Sequence, residues 1–262
     1  MNFDTTHNSP PAVSVSVITV AFNCIGTLPS TLESVKLQSL PNVEHIVIDG
    51  ASTDGTTKFL EERRGQLSAL ISEPDDGIYD ALNKGIEVSS GDVIGFLHAD
   101  DVFGSNDVLT EVAEKFKDSS VQAVYGDLQY VHFDNLSSIV RHWKSGPFSR
   151  ARLVRGWMPP HPTLYVRREW YERIGGFDTK YRIAADYLSI LQMFSAPHFK
   201  VAYIPKVLVK MRVGGVSNRS IRNILRKSYE DYQALRETGV GGLGTLFAKN
   251  LSKLNQFFYR KN

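Results

Sequence analysis

The chain has 262 residues, 42% hydrophobic and 22% charged, which suits one large globular domain with an appendage and excludes a disordered or fibrous protein. Its single cysteine, Cys24, excludes an internal disulfide and a cysteine-built zinc site, and no apolar run approaches the roughly 20 residues that span a bilayer. The net charge of +2 hides an asymmetry, because residues 1–140 carry 7 Lys and Arg against 21 Asp and Glu while residues 141–262 carry 23 against 7. An acidic half suits cations, and a basic half suits phosphates or a membrane surface.

The opening "MNFDTTHNSPP" has neither a basic segment nor an apolar one, so residues 1–12 read as an extended or disordered lead-in without a secretion signal. "VSVSVITVAF" (13–22) is rich in β-branched residues and reads as a buried strand. Leu28, Leu32, Val35 and Leu40 then recur near helical spacing, with Pro29 tolerated in a first turn. "VEHIVIDG" is a second strand ending at Asp49, followed by a helix in "STDGTTKFLEERRG" that stops at Gly65. "LSALISE" is a third strand, and Asp76 is placed to cap the helix "GIYDALNKGIEV". "DVIGFL" is the fourth strand, a helix covers about 107–117, and "VQAVYGD" is another strand.

Strands alternating with helices over short connections predict a mostly parallel α/β sheet. Ligands in such sheets sit beyond the carboxyl ends of the strands. There the polar residues gather: Phe22 and Asn23, Asp49 and Ser52, Glu73 to Gly77, then Asp100 and Asp101. The stretch "GFLHADDVFG" delivers two adjacent carboxylates to one strand end, a site that calls for a cation, a proton or a strong donor.

Beyond residue 140 the pattern loosens. A basic, aromatic stretch with Pro and Gly breaks precedes "YRIAADYLSILQMF", read as a helix with Ile183, Leu188, Leu191 and Phe194 inward. "KVAYIPKVLVKMRVGGVSN" is a strand pair, or one strand running into a Gly-Gly loop, and from Ser220 onward the chain is helical and basic. "GVGGLG" (239–244) matches G-x-G-x-x-G formally but follows a helical segment, so it reads as a helix break. There is no P-loop, no closely spaced His pair of the zinc-hydrolase kind, no G-x-S-x-G elbow and no nucleic-acid-binding module.

The segments "VSVITVAFN", "HIVIDGASTDGT", "SEPDDGIYDALNKGI", "GDVIGFLHADD", "GGFDTKYRIAADY" and "GGVSN", in this order, resemble the family 2 glycosyltransferases of the GT-A fold, over about residues 13–217. The closest likeness is to bacterial enzymes that build O-antigen, capsule or other exopolysaccharide repeat units. The resemblance implies a metal-dependent, inverting, hexosyltransferase-type transfer from a nucleotide-sugar, most often a UDP-sugar, to a saccharide hydroxyl, with a lipid-linked acceptor expected. It places Val20, Ala21 and Phe22 at the edge of the nucleotide pocket and Asp49 as acceptor from the base. Asp76, Gly77 and Asn83 would line the nucleotide from the other side. "HADD" occupies the DxD site, with His98 where the family has its first Asp. Asp100 and Asp101 would hold Mg²⁺ or Mn²⁺, which suit hard oxygen ligands. Asp186 matches the catalytic base, Trp157 and His161 fall on the acceptor side, and "RVGGVSN" (212–218) resembles a mobile loop over the diphosphate.

A catalytic domain at 13–217 and a tail at 218–262 follow. The tail holds Leu243, Leu246, Phe247, Leu251, Leu254 and Phe258 near helical spacing among basic residues, and reads either as a membrane-surface element or as a helix packed on the catalytic domain. The expected location is the cytoplasm, peripheral on the inner face of the cytoplasmic membrane. Two other readings remain: a sugar nucleotidyltransferase, against which "AFNCIGTLPS" lacks a Gly- and Lys/Arg-rich triphosphate loop, and a non-catalytic nucleotide-sugar-binding protein.

Overall fold

A computed structural model describes residues 13–213 and 221–258; the expected lead-in at 1–12 and most of the glycine loop at 212–218 lie outside them. Four strands, β1 (Val15–Ala21), β2 (Glu44–Asp49), β3 (Ala69–Ser72) and β4 (Val93–Phe96), alternate with α1 (Leu28–Lys36), α2 (Thr56–Glu61) and α3 (Ile78–Val88). β1 pairs in parallel with β2 and β4, and β2 with β3, so the spatial order is β3-β2-β1-β4. Val15, Val17, Ile18, Ile46, Val47, Ile48, Val93 and Ile94 are buried, as near-continuous apolar runs must be in a sheet covered on both faces. This parallel half is as the alternation predicts.

The second half is mixed. It comprises β5 (Asp101–Phe103), α4 (Val108–Phe116), β6 (Val121–His132), β7 (Asn135–Trp143), α5 (Arg150–Val154), β8 (Tyr165–Arg167), α6 (Arg168–Ile174), α7 (Ala185–Ser195) and β9 (Lys200–Arg212). β8 inserts antiparallel between β4 and β6, and β9 runs parallel to β6 and antiparallel to β5, giving one nine-stranded sheet among the described residues. The strand read as "VQAVYGD" continues to His132 and turns back as the hairpin β6–β7. β9 is one strand and not a pair. Its register against β6 jumps from Gly126↔Ile204 to Asp127↔Val207, leaving Pro205 in the irregularity, where its missing N–H costs no ladder bond.

Two local expectations change. Gly77, not Asp76, is the N-cap of α3; its φ of 113° lies in the region that favours glycine. Asp80 reaches back to accept from Asp76 N at 3.1 Å, and Asp75 Oδ1 accepts from Gly77 N at 2.9 Å. Ile183 lies before α7, whose N-cap is Ala184.

The tail helices α8 (Ile221–Glu237) and α9 (Leu243–Phe258) pack on the body, α8 against α7 and α9 against α8 and β7. Gly156 admits α9 closely: a Cβ there would lie 2.5 Å from the Lys249 Cβ. Lys249 is fully buried, its Nζ 2.8 Å from Asp231 Oδ1 and 3.0 Å from the Tyr187 ring centroid. The "GVGGLG" run forms the break between α8 and α9, with Gly239 at φ 67°.

Candidate active site at the carboxyl ends of the strands

β1 ends in Val20 and Ala21, half-buried and buried, and the chain then exposes Phe22, whose ring is 66% accessible. A Cβ on Gly50 would lie 2.6 Å from Asp75 Oδ2 and 3.2 Å from the Phe22 ring, so β1, β2 and the loop after β3 converge there. Asn23, at φ 47°, stitches the first two together: its N–H donates to Ser52 Oγ at 2.8 Å, and its Oδ1 accepts from Thr53 N at 2.8 Å.

Asp49 closes β2 fully buried. Its Oδ2 accepts from Ser52 N (3.2 Å), Thr57 Oγ1 (2.7 Å) and Ser72 Oγ (2.6 Å), and its Oδ1 from Ser52 Oγ (2.5 Å). One oxygen is saturated, and the other retains acceptor capacity. In the loop after β3, Asp76 and Gly77 are exposed, and the Asp76 carbonyl accepts from Arg182 Nη1 at 2.6 Å. Asn83 is used differently from a pocket-lining residue. Its Nδ2 donates to Phe177 O at 2.9 Å and its Oδ1 accepts from Phe177 N at 2.8 Å, so the amide clamps the loop after α6.

The sequence treats Asp100 and Asp101 as a matched pair of ligands, and the structure separates them. Asp100 is half-buried in the loop before β5. Asp101 begins β5 with no exposed surface and, among the described residues, no hydrogen-bond partner on either carboxylate oxygen. The chain turns at Ala99 and Asp100, with Asp101 N donating to His98 O at 2.9 Å, before it enters β5, so the two neighbouring acids stand in different environments. Burial, together with the Asp100 charge, pushes the Asp101 carboxyl well above its usual range, against the pull of Arg212. That arginine, buried at the end of β9, donates to Asp100 O (2.6 Å), Ser30 Oγ (2.9 Å) and Phe133 O (3.0 Å), and so holds the backbone of the acidic loop.

Asp186 occupies the first turn of α7, half-buried, with Oδ1 accepting from Tyr79 Oη at 3.0 Å. Burial raises its pKa, but His161, Lys227, Lys249 and the Tyr79 hydroxyl outweigh that and leave it below the usual carboxylate range. His161 is itself pushed down to about 4 by burial, so at neutral pH the standing positive charges near Asp186 are the two lysines. The His161 ring stacks on Phe96 at 5.3 Å and lies 6.0 Å from that of His98; among the described residues neither His161 nitrogen has a hydrogen-bond partner, nor has His98 Nδ1. Burial lowers the His98 pKa, while Asp100 and Asp186 both raise it. One imidazole therefore senses carboxylates from two separate elements. Trp157 is anchored away from this cluster: its Nε1 donates to Ser145 O at 2.8 Å and its ring meets Tyr125, Phe148 and Phe194.

The model of "Glycosyl transferase family 2" matches residues 16–183. The chain belongs to that family. An uncharacterized glycosyltransferase of Mycobacterium tuberculosis is 36% identical over 183 residues, 69% of each chain. A PGL/p-HBAD biosynthesis glycosyltransferase of Mycobacterium bovis is 29% identical over 208 residues, 78% of each. Among solved structures, Staphylococcus aureus TarS 1-349 in complex with UDP superposes with a TM-score of 0.64 at 17% identity, covering 87% of this chain and 65% of that one. Pyrobaculum calidifontis mannosyltransferase PcManGT in complex with GDP-Man and Mn²⁺ gives 0.63 at 20% identity, covering 95% and 72%. The fold of this glycosyltransferase is GT-A.

A divalent cation fits the donor set in one arrangement. Among the described residues no group of three metal-ligating side chains gathers. Mg²⁺ is commonly held by one or two carboxylates plus substrate phosphates, and half-buried Asp100, in the loop between β4 and β5, is a carboxylate that would serve in that way. Tyr79, Arg182 and Arg212 were not singled out from sequence. Tyr79 in "GIYDALNKG" reads as a core aromatic, and the two arginines stand among many in the basic half. No pattern in the chain distinguishes them.

Proposed function

We propose that this glycosyltransferase is an inverting enzyme that moves a sugar from a nucleotide-sugar, a UDP-sugar in our reading, to a hydroxyl of a lipid-linked saccharide in surface polysaccharide or glycolipid biosynthesis. The observation that carries this is a pair of hydrogen bonds joining the loop at 76–77 to the turn that bears Asp186: Tyr79 Oη, two residues past Gly77, donates to Asp186 Oδ1 at 3.0 Å, and Arg182 Nη1 donates to the Asp76 carbonyl at 2.6 Å. Phe22 would stack on the base and Asp49 Oδ1 accept from it, with Val20 and Ala21 forming the pocket edge and Asp76 and Gly77 the opposite wall. Asp186 would take the proton of the acceptor hydroxyl, and His161 would border the acceptor; the low carboxyl pKa keeps that base ionised at neutral pH. Mg²⁺ or Mn²⁺ on Asp100 and the donor diphosphate would supply charge neutralisation at the leaving nucleotide. The UDP complex of TarS, the Mn²⁺ and GDP-Man of the mannosyltransferase and the glycolipid name of the mycobacterial relative support the reading.

No described helix is long and apolar enough to cross a membrane. On α9, Leu246 packs inward while Leu243, Phe247 and Leu251, four residues apart, stay exposed, the first two at 70% and 67%. That stripe, beside a basic chain end, supports docking on the inner face of the cytoplasmic membrane. A thermal-shift panel of nucleotides and nucleotide-sugars, with and without Mn²⁺, tests the donor assignment, because ligands of the native state raise its melting temperature. UDP-sugars should raise it most, and more with Mn²⁺. No shift with any nucleotide-sugar overturns the reading.

A further inference from the structure

Helix α7 starts without a cap of its own. Its N-cap is Ala184, which offers no side-chain acceptor, and the preceding "YRIA" contains no Ser, Thr, Asp or Asn. Backbone N–H groups at a helix entrance need partners, and where the local sequence supplies none a distant group must. Glu230 supplies the partner for the N-cap N–H and also grips the two residues that lead into the helix. It sits on α8, 4% exposed, and accepts from Ile183 N (2.8 Å) and Ala184 N (3.0 Å) through Oε2 and from Arg182 N (3.2 Å) through Oε1. Arg226 Nε donates to the same Oε1 at 2.8 Å, completing its coordination from one turn earlier on α8.

The gripped turn is the one that presents Asp186, two residues after Ala184. Tyr79 Oη holds it from the opposite side, 2.8 Å from Ile183 O and 3.0 Å from Asp186 Oδ1. Arg182 carries the same turn to the nucleotide-side loop through Asp76 O. Behind Glu230 on α8, Asp231 takes Lys249 of α9, whose ammonium lies over the ring of Tyr187, the residue after Asp186. The C-terminal helices thus reach the base through a hydrogen-bonded carboxylate and a buried ion pair, although the family match ends at residue 183.

We propose that Glu230 is a positioning residue for Asp186, setting where its carboxylate stands by capping residues 182–184, and that α8 therefore belongs to the catalytic unit. This rests on Asp186 being the base. The test compares Glu230→Ala and Glu230→Gln in full-length enzyme, alone and with Asp186→Asn, by kcat, donor KM, UDP affinity and the pH profile of kcat.

Glu230→Ala should lower kcat about 10- to 100-fold with donor KM and UDP affinity within about twofold. Glu230→Gln keeps an acceptor for Ile183 and Ala184 and should fall between wild type and alanine. The acidic limb of the alanine variant should move to higher pH, because a loosened Asp186 leaves the field of Lys227 and Lys249. In the Asp186→Asn background the alanine change should cost little more, since a positioned group no longer basic gains nothing from its position. Unchanged kcat in Glu230→Ala, or an equal loss in both backgrounds, overturns the proposal. Should the alanine variant fail to fold, a glutamine variant with wild-type kcat and an unmoved acidic limb overturns it as well. Near-normal kcat in Asp186→Asn alone sinks the base assignment instead, which separates the two failures.

Discussion

Asp49 is buried and Asp186 half-buried, and the two are held in opposite ways. Among the described residues every donor to Asp49 comes from Ser52, Thr57 or Ser72, none more than 23 positions away. Asp186 takes its hydroxyl partner from Tyr79, 107 positions away, and its turn is capped by Glu230, 46 to 48 positions from the residues it holds. A locally wired acid can be ordered by one loop, whereas an acid wired across the chain is in place only once several loops have closed. The surroundings of Asp49 therefore resemble a motif and those of Asp186 a tertiary assembly.

The largest effect should come from Asp186→Asn, which keeps shape and removes basicity. We expect kcat to fall about 10²- to 10⁴-fold with UDP affinity preserved; loss of UDP affinity in the same measurement would show that the two ends are not separable.

Next in size is a pH effect that samples both regions. Burial holds His45, on β2, and His161, at the base end, near a pKa of about 4, against an ordinary 6.5. The unfolded chain binds these protons first as pH falls, so stability is full above about 6.5 and is lost progressively down to about 4. Each imidazole accounts for up to about 3 kcal/mol. Melting temperature followed over that window should fall, and His45→Asn and His161→Asn should each flatten the slope. A flat wild-type curve would contradict the burial of both.

Asp49→Ala removes the common acceptor of three hydroxyls and one N–H. A loss of about 1–3 kcal/mol is expected in both UDP binding and stability, read by calorimetry and thermal melting. Stability loss with UDP affinity intact would make Asp49 scaffold alone.

Asp100→Asn should weaken Mn²⁺-dependent UDP binding about tenfold, or roughly 1.4 kcal/mol, while Asp101→Asn leaves it nearly unchanged because that side chain is buried. Equal effects in titrations with and without EDTA would restore the two acids as a ligand pair.

The smallest change concerns location. Leu243→Ser combined with Phe247→Ser alters exposed positions only, and should reduce sedimentation with anionic vesicles severalfold while kcat on a soluble acceptor analogue holds. Unaltered sedimentation would remove the membrane from the proposal. Deleting 243–262 is a poorer test, because Lys249 is part of the packed interior.

What could be read from the chain alone follows from range. Periodicity and β-branched runs located β1 to β4 with α1 to α3, because each is a local pattern whose buried face repeats every two or about 3.6 residues. The strand-end acids Asp49 and Asp100 could be found the same way, as residues standing at the ends of recognisable segments, whereas Asp186, inside an apolar helical stretch, is singled out only by the family resemblance. The short strands β5 and β8 gave no such pattern: three residues carry no period, and β8 exists because β4 and β6 offer edges on either side. Nor does sequence adjacency report direction, so only the folded chain separates half-buried Asp100 from wholly buried Asp101. The tail shows the limit most plainly. Its basic, amphipathic composition is legible and its exposed stripe agrees, but Glu230, Asp231 and Lys249 read as ordinary surface charges until α8 and α9 come to lie on α7. A charge is priced by its surroundings, and those are set by contacts dozens of residues apart that no local pattern encodes.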